Sequence, residues 1–308
     1  MSLRTRAWNL FLRLSLKPML AAPLPIATIR KWLKYSSRLT LIAPKGVAFE
    51  VEPSAGAAPA LAWVRLGQPR DDAVLLFLHG GAFCFGEPGI YTAMLARLSR
   101  DAGLPACAPA YRLAPEHPFP AQIEDAVASW DALRARGYAA RRIVIAGDSA
   151  GGGLALSLTA ELLKRGQVPA GVVAMSPWTD LTFSGASWIE NRFSEVVLPA
   201  RMRRQAVAMV TGGDPAVARD PRMSPLFADF NGGPPTLIHY STSEVLRDDG
   251  AEMARRLRAM GVEVIEDARP GLPHVWQTYD PWLIEAGQAL DQAAAFMRRQ
   301  LSDRSDES

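Results

Sequence analysis

An α/β fold with a mostly parallel central sheet is the class this chain predicts, and three observations carry that prediction. Short apolar runs recur at Val74 to Leu78, Pro105 to Pro109, Ile143 to Ala146, Val172 to Met175, Thr236 to Tyr240 and Val262 to Ile265. Helical segments separate them, and continuous apolar strands alternating with amphipathic helices indicate a sheet covered on both faces. One strand runs directly into Gly147-Asp148-Ser149-Ala150-Gly151, a glycine-flanked turn leading into a helix.

The chain opens with polar residues at Arg6, Asn9, Arg13 and Lys17 and an apolar side of Trp8, Leu10, Phe11, Leu12, Leu14 and Leu16. This predicts an amphipathic helix that ends at Pro18. A second basic amphipathic stretch spans Ile26 to Leu39. Neither helix buries its apolar face alone, so each must lie on the body of the protein or, as the less favoured alternative, on a membrane surface. Val47 to Val51 and Leu61 to Leu66 alternate as two antiparallel strands joined by a turn from Pro53 to Pro59, an edge hairpin. The segment from about Leu181 to Phe230 is too long for a simple crossover and reads as part of a cap. The domain reading is therefore residues 1–45 as cap helices and residues 46–308 as one catalytic α/β domain, with 181–230 contributing to the cap.

Composition narrows the class further. Of 308 residues 49% are apolar and 21% charged, the balance of an ordinary globular protein. Lys and Arg number 34 against 31 Asp and Glu, and no reader motif is present, so nucleic acid is not expected as a partner. Cys84 and Cys107 sit in apolar contexts and are expected as reduced core thiols. Arg13, Lys17 and Pro18 interrupt the first apolar stretch, so no secretory signal is expected, and the default location is cytoplasmic.

The chemistry gathers around Ser149. In G-x-S-x-G between a strand and a helix, glycines two residues on either side permit a turn that raises the serine hydroxyl clear of the sheet. His79-Gly80-Gly81-Ala82-Phe83 ends an earlier strand. Acyl transfer builds negative charge on a carbonyl oxygen, and fixed amides stabilise it. Gly80, Gly81 and Ala150 are the candidate donors. Of four histidines, His79 and His117 precede the serine, whereas the order on this architecture is serine, acid, histidine. His239 lies inside an apolar strand and reads as a core residue. His274, in a loop after the last strand, is left as the base. The acid falls among Glu244, Asp248 and Asp249; Glu244 lies nearest the strand end, and the two aspartates suit the start of the next helix. Trp178, Trp188 and Phe193 are candidate pocket residues, with ordinary packing an equal alternative.

Five ordered motifs give the chain a family likeness: HGGAF at 79–83, YRLAPEHPFPA at 111–121, GDSAGG at 147–152, SPWTDL at 176–181 and DPRMSPL at 220–226. With them the chain resembles the hormone-sensitive-lipase family of esterases. The resemblance implies an α/β-hydrolase fold with a helical cap and a serine carboxylesterase acting on short- to medium-chain esters. Where that family most often has D-P-L-x-D-E-G, this chain reads Glu244-Val245-Leu246-Arg247-Asp248-Asp249-Gly250, with Glu in the place of the catalytic Asp. Asp125 and Asp180 match motif positions and are expected to hold loops by accepting hydrogen bonds. A similarity to esterases acting on cyclic terpene lactones keeps a lactone substrate open, as the basic helices keep a membrane-peripheral lipase open. The partner expected is a small-molecule ester, with no metal or organic cofactor; an edge strand or the final helix could mediate a homodimer.

Overall fold

The computed structural model describes residues 1–302, so residues 303–308, assigned above to the catalytic domain, lie outside the described residues. Three helices, α1 (Leu3–Leu14), α2 (Leu16–Ala21) and α3 (Ile26–Thr40), precede the hairpin β1 (Ala48–Glu52) and β2 (Leu61–Arg65). There follow β3 (Val74–Leu78), α4 (Thr92–Ala102), β4 (Ala106–Pro109), α5 (Ala121–Ala135), β5 (Ile143–Asp148) and α6 (Ser149–Lys164). The chain continues through β6 (Gly171–Met175), α7 (Ser187–Glu190), α8 (Ala200–Thr211), β7 (Thr236–Ser241), α9 (Arg247–Ala259), β8 (Val264–Arg269) and α10 (Ile284–Ser302).

Among the described residues the eight strands form one sheet in the order β1-β2-β4-β3-β5-β6-β7-β8. The first two joints are antiparallel and the rest parallel. Successive side chains of a strand point to opposite faces, and here both faces are buried. Val74, Leu76 and Leu78 join a core with Trp130 of α5, Leu154 and Leu158 of α6 and Met253 of α9. Leu75 and Phe77 join a second core with Leu95 and Leu98 of α4 and Leu290 and Met297 of α10. That double burial is why the central strands read as unbroken apolar runs.

Three sequence expectations shift. Pro18 does not end the first helix; the break comes at Ser15, and Pro18 sits in the first turn of α2, where a missing N–H costs no helical hydrogen bond. The apolar side of α1 divides in two: Leu12 is buried and Trp8 half-buried, while Leu10 and Leu14 face solvent. The last strand runs Val264–Arg269 rather than from Val262, because Val262 still belongs to the turn that closes α9, its N–H bonded to the Leu257 carbonyl. As a sheet edge β8 tolerates charge, and Glu266 accepts from the Tyr240 hydroxyl at 2.6 Å.

The helix after β5 begins at Ser149 itself. Its glycines lie against other backbone: a Cβ on Gly151 would stand 2.0 Å from the Leu78 carbonyl oxygen, and one on Gly153 would stand 2.1 Å from that of Trp178. Gly153→Ala therefore opposes two effects, about 1 kcal/mol gained in helix propensity and about 1–3 kcal/mol or more lost to overpacking against rigid backbone. The clash is expected to win, and urea unfolding should show a lower midpoint for Gly153→Ala than for the wild type.

Candidate active site

Ser149 occupies the turn between β5 and α6 with φ of +52°, a left-handed conformation that a non-glycine residue rarely holds. The strain is held by neighbours on both sides: the Ser149 carbonyl accepts from the Trp178 N–H at 2.9 Å, and Gly147 and Gly151 let the turn close against β3. Ser149 Oγ lies 2.9 Å from His274 Nε2, and His274 Nδ1 lies 2.5 Å from Glu244 Oε2. The structure thus brings together the three residues singled out from the sequence, from three separate strand ends. A carboxylate on Nδ1 holds the imidazole proton there and leaves Nε2 free to accept the hydroxyl proton.

Glu244 is almost completely buried, and its second oxygen accepts from the Ser241 N–H at 2.7 Å, so the longer side chain is braced at both oxygens. Asp248 and Asp249 begin α9 and point elsewhere: Asp248 accepts from the Ser187 N–H, and Asp249 accepts from those of Thr179 and Asp180. Burial alone lowers the His274 pKa, but the hydrogen bond and charge of Glu244, with the further carboxylates of Glu195 and Asp148, outweigh it and leave the imidazole more basic than usual.

The other histidines stand apart from this chemistry. Burial pulls His79 and His239 down to about 4 each, so both are neutral. His79 stacks on Tyr111 with ring centroids 4.2 Å apart, and His239 pairs with the Gln277 amide at 3.2 Å. His117 is exposed. Cys84 and Cys107 are buried free thiols whose pKa burial raises to about 12. Asp125 takes the Arg112 N–H and guanidinium, and Asp180 takes the N–H groups of Thr182 and Ser184.

Gly80 requires a correction. Its N–H donates to Asp148 Oδ1 at 2.7 Å, so this amide is committed inside the protein and is not available to a substrate oxygen. Asp148 is buried, which raises its pKa to about 6, and its other oxygen accepts from the Tyr91 hydroxyl at 3.0 Å. The amides of Gly81, Ala82 and Ala150 are among those of this region that have no acceptor among the described residues. Ala150 lies in the first turn of α6, where helical N–H groups have no internal partner. Gly80 serves by being small: a Cβ there would stand 2.3 Å from Asp148 Oδ2.

A cavity of about 260 Å³ opens on Ser149 and His274. Its walls are mainly apolar and come from Trp8, Phe11 and Leu12 of α1, Trp32 and Leu33 of α3, Tyr279, and Val197, Leu198 and Met202 around the start of α8. A second cavity of about 30 Å³ touches the other side of Ser149 and is lined by Trp178, Trp188, Leu198 and Leu246. Two of the three aromatic pocket candidates are therefore in place, while Phe193 is 72% exposed and lines neither. The large cavity's walls were hidden in the sequence except as the inward faces of two amphipathic helices.

Glu195, which no motif marks, is buried beside the triad. Its oxygens accept from the N–H groups of Val197 and Leu198 and, at 3.1 Å, from that of Val245, the residue after Glu244. Its own carbonyl accepts from Lys17 Nζ at 2.6 Å. Because the negative charge of Glu195 supports the imidazolium, Glu195→Gln is expected to move the acid limb of kcat/KM to lower pH, with a smaller displacement than Glu244→Gln. A pH–rate profile of the two variants against wild type checks the order.

Known proteins resemble this chain in sequence and in fold. The α/β-hydrolase-fold family matches residues 75–278. The chain is 39% identical over 238 residues to an acetyl-hydrolase of Streptomyces hygroscopicus, covering 77% of this chain and 78% of that protein. It is 32% identical over 254 residues to an ethyl acetate hydrolase of Pseudomonas putida, covering 77% and 78%. Among solved structures, an esterase from the bacterial hormone-sensitive lipase family superposes with a TM-score of 0.90 at 32% identity, covering 98% of this chain and 99% of that one. No helix among the described residues is long and apolar enough to cross a membrane. The chain belongs to the α/β-hydrolase family and, within it, to the hormone-sensitive-lipase group of carboxylic ester hydrolases.

Proposed function

We propose that the protein is a serine carboxylesterase for short- to medium-chain esters, with Ser149 as nucleophile, His274 as base and Glu244 as the acid that orients it. The observation that carries the reading is the unbroken line of contacts from Glu244 through His274 to Ser149, at the floor of an apolar cavity. Ser149 Oγ attacks the ester carbonyl carbon as its proton passes to His274 Nε2, and the Glu244 carboxylate stabilises the imidazolium that forms. The amides of Gly81, Ala82 and Ala150 receive the oxyanion. Collapse expels the alkoxide, which takes the proton from His274. Water, deprotonated by the same nitrogen, then cleaves the acyl-enzyme and returns the proton to Ser149.

The two cavities divide the substrate. The small one has room for about two water-sized groups, which suits an acetyl or propionyl chain, and the large one takes the alcohol. The relatives described as acetyl-hydrolase and ethyl acetate hydrolase support a short acyl chain. In this reading the N-terminal helices and the segment 181–230 form the cap.

Hydrolysis of p-nitrophenyl esters from acetate to palmitate tests the proposal. Activity should peak at short acyl chains, with kcat falling about 10⁴- to 10⁶-fold in Ser149→Ala and His274→Ala and about 10⁴-fold in Glu244→Gln. Glu244→Asp shortens the reach to His274 and should cost about 10²-fold. Turnover that survives Ser149→Ala would overturn the serine mechanism. Trp188→Ala enlarges the small cavity and should raise the ratio of hexanoate to acetate turnover; an unchanged ratio would place the acyl chain in the large cavity instead.

A further inference from the structure

The first 45 residues hold nine Lys or Arg and no Asp or Glu, whereas the rest of the chain holds 25 Lys or Arg against 31 Asp or Glu. The positive charge of the protein is thus concentrated on the helices that roof the large cavity. Arg30 and Lys34 are paired to Glu116 and Glu87 of the body. Arg4, Arg6, Lys31 and Arg38 have no carboxylate partner among the described residues and are exposed.

The same helices expose apolar side chains at helical spacing. On α1, Leu3, Leu10 and Leu14 repeat at seven and four residues, on the side away from the buried Leu12, and Leu3 and Leu14 are 82% and 70% exposed. On and just after α3, Tyr35, Leu39 and Ile42 are exposed beside Lys31 and Arg38. The inner faces of α1 and α3 line one cavity, and Trp282 links them, stacking on Trp8 at 5.9 Å and donating to the Thr40 carbonyl at 2.7 Å. Their outer faces therefore form the exterior of one roof.

We propose that this roof docks onto an anionic lipid bilayer surface, lying in the interface without crossing it. Leucines at helical spacing flanked by unpaired bases match an interfacial helix, whose apolar face enters the headgroup boundary while its bases meet anionic lipid. A second copy of the chain is disfavoured as the occupant, because a two-fold contact through this face would bring bases against bases. Nucleic acid would satisfy the bases and leave the leucines in water.

Sedimentation with vesicles tests the proposal on the full chain. The protein should bind mixed phosphatidylglycerol–phosphatidylcholine vesicles at low salt, bind phosphatidylcholine vesicles far less, and be released by high salt. At about fivefold in partitioning for each base near an anionic leaflet, Lys31→Gln with Arg38→Gln should weaken binding about 25-fold. Leu10→Ser with Leu14→Ser should weaken it independently of salt. None of these four residues lines either cavity, so hydrolysis of a water-soluble acetate ester should be unchanged in both variants. That assay also separates failure of docking from failure of the esterase reading. No binding at low salt, or equal binding to both vesicles, overturns the proposal. So does a concentration-dependent dimer that Leu10→Ser with Leu14→Ser abolishes while vesicles bind nothing.

Discussion

Backbone packed directly on backbone is the constraint from which the site is built. At Gly147 and Gly151 the chain passes so close to itself and to the Leu78 and His79 carbonyls that a side chain at either place would overlap main-chain atoms. This closeness forces the left-handed turn at Ser149, sets the start of α6 at the serine, and brings the end of β3 beside it. Relaxing that contact would disturb Ser149 and the neighbouring amide loop together.

On that base the polar groups are arranged by commitment and release. Asp148 takes up the Gly80 N–H and the Tyr91 hydroxyl, which anchors the loop, while the following amides of Gly81 and Ala82 are left without a partner among the described residues. Glu244 spends one oxygen on the Ser241 amide and the other on His274. Each carboxylate near the site thus fixes a piece of backbone, and only one oxygen among them reaches the imidazole. The buried Glu195 extends the same logic outward, bonding the loop of the acid to the segment that enters α8.

Much of this was legible in the sequence because it depends on local rules. Strands buried on both faces announce themselves as apolar runs, the elbow needs glycines at fixed offsets, and the chain order of serine, acid and histidine, with His239 inside an apolar strand, leaves His274 alone among four. The choice of Glu244 over Asp248 and Asp249 followed from distance to a strand end. What escaped was set by contacts distant along the chain. The loss of Gly80 as a donor depends on Asp148, 68 residues away. The role of Glu195 depends on an amide 50 residues further on. Phe193 is a pocket candidate on aromatic character, with ordinary packing an equal alternative, and nothing in its spacing says that it turns outward.

Part of the large cavity's wall comes from a different stretch of the chain than Ser149, Glu244 and His274. Ser149, Glu244, His274 and the amide loop all fall inside the stretch 75–278 that the family shares, whereas Trp8, Phe11, Leu12, Trp32 and Leu33 lie before it. The early helices are tied to the rest by side-chain bonds such as Asn9 to the Gly271 carbonyl and Lys17 to that of Glu195, and by Ile29 packed into the main core. Such a layout is modular in an evolutionary sense. A lineage can rewrite the wall by substitutions in two helices, testing new substrates one residue at a time, without exposing the turn, the imidazole or the amides to the same mutations.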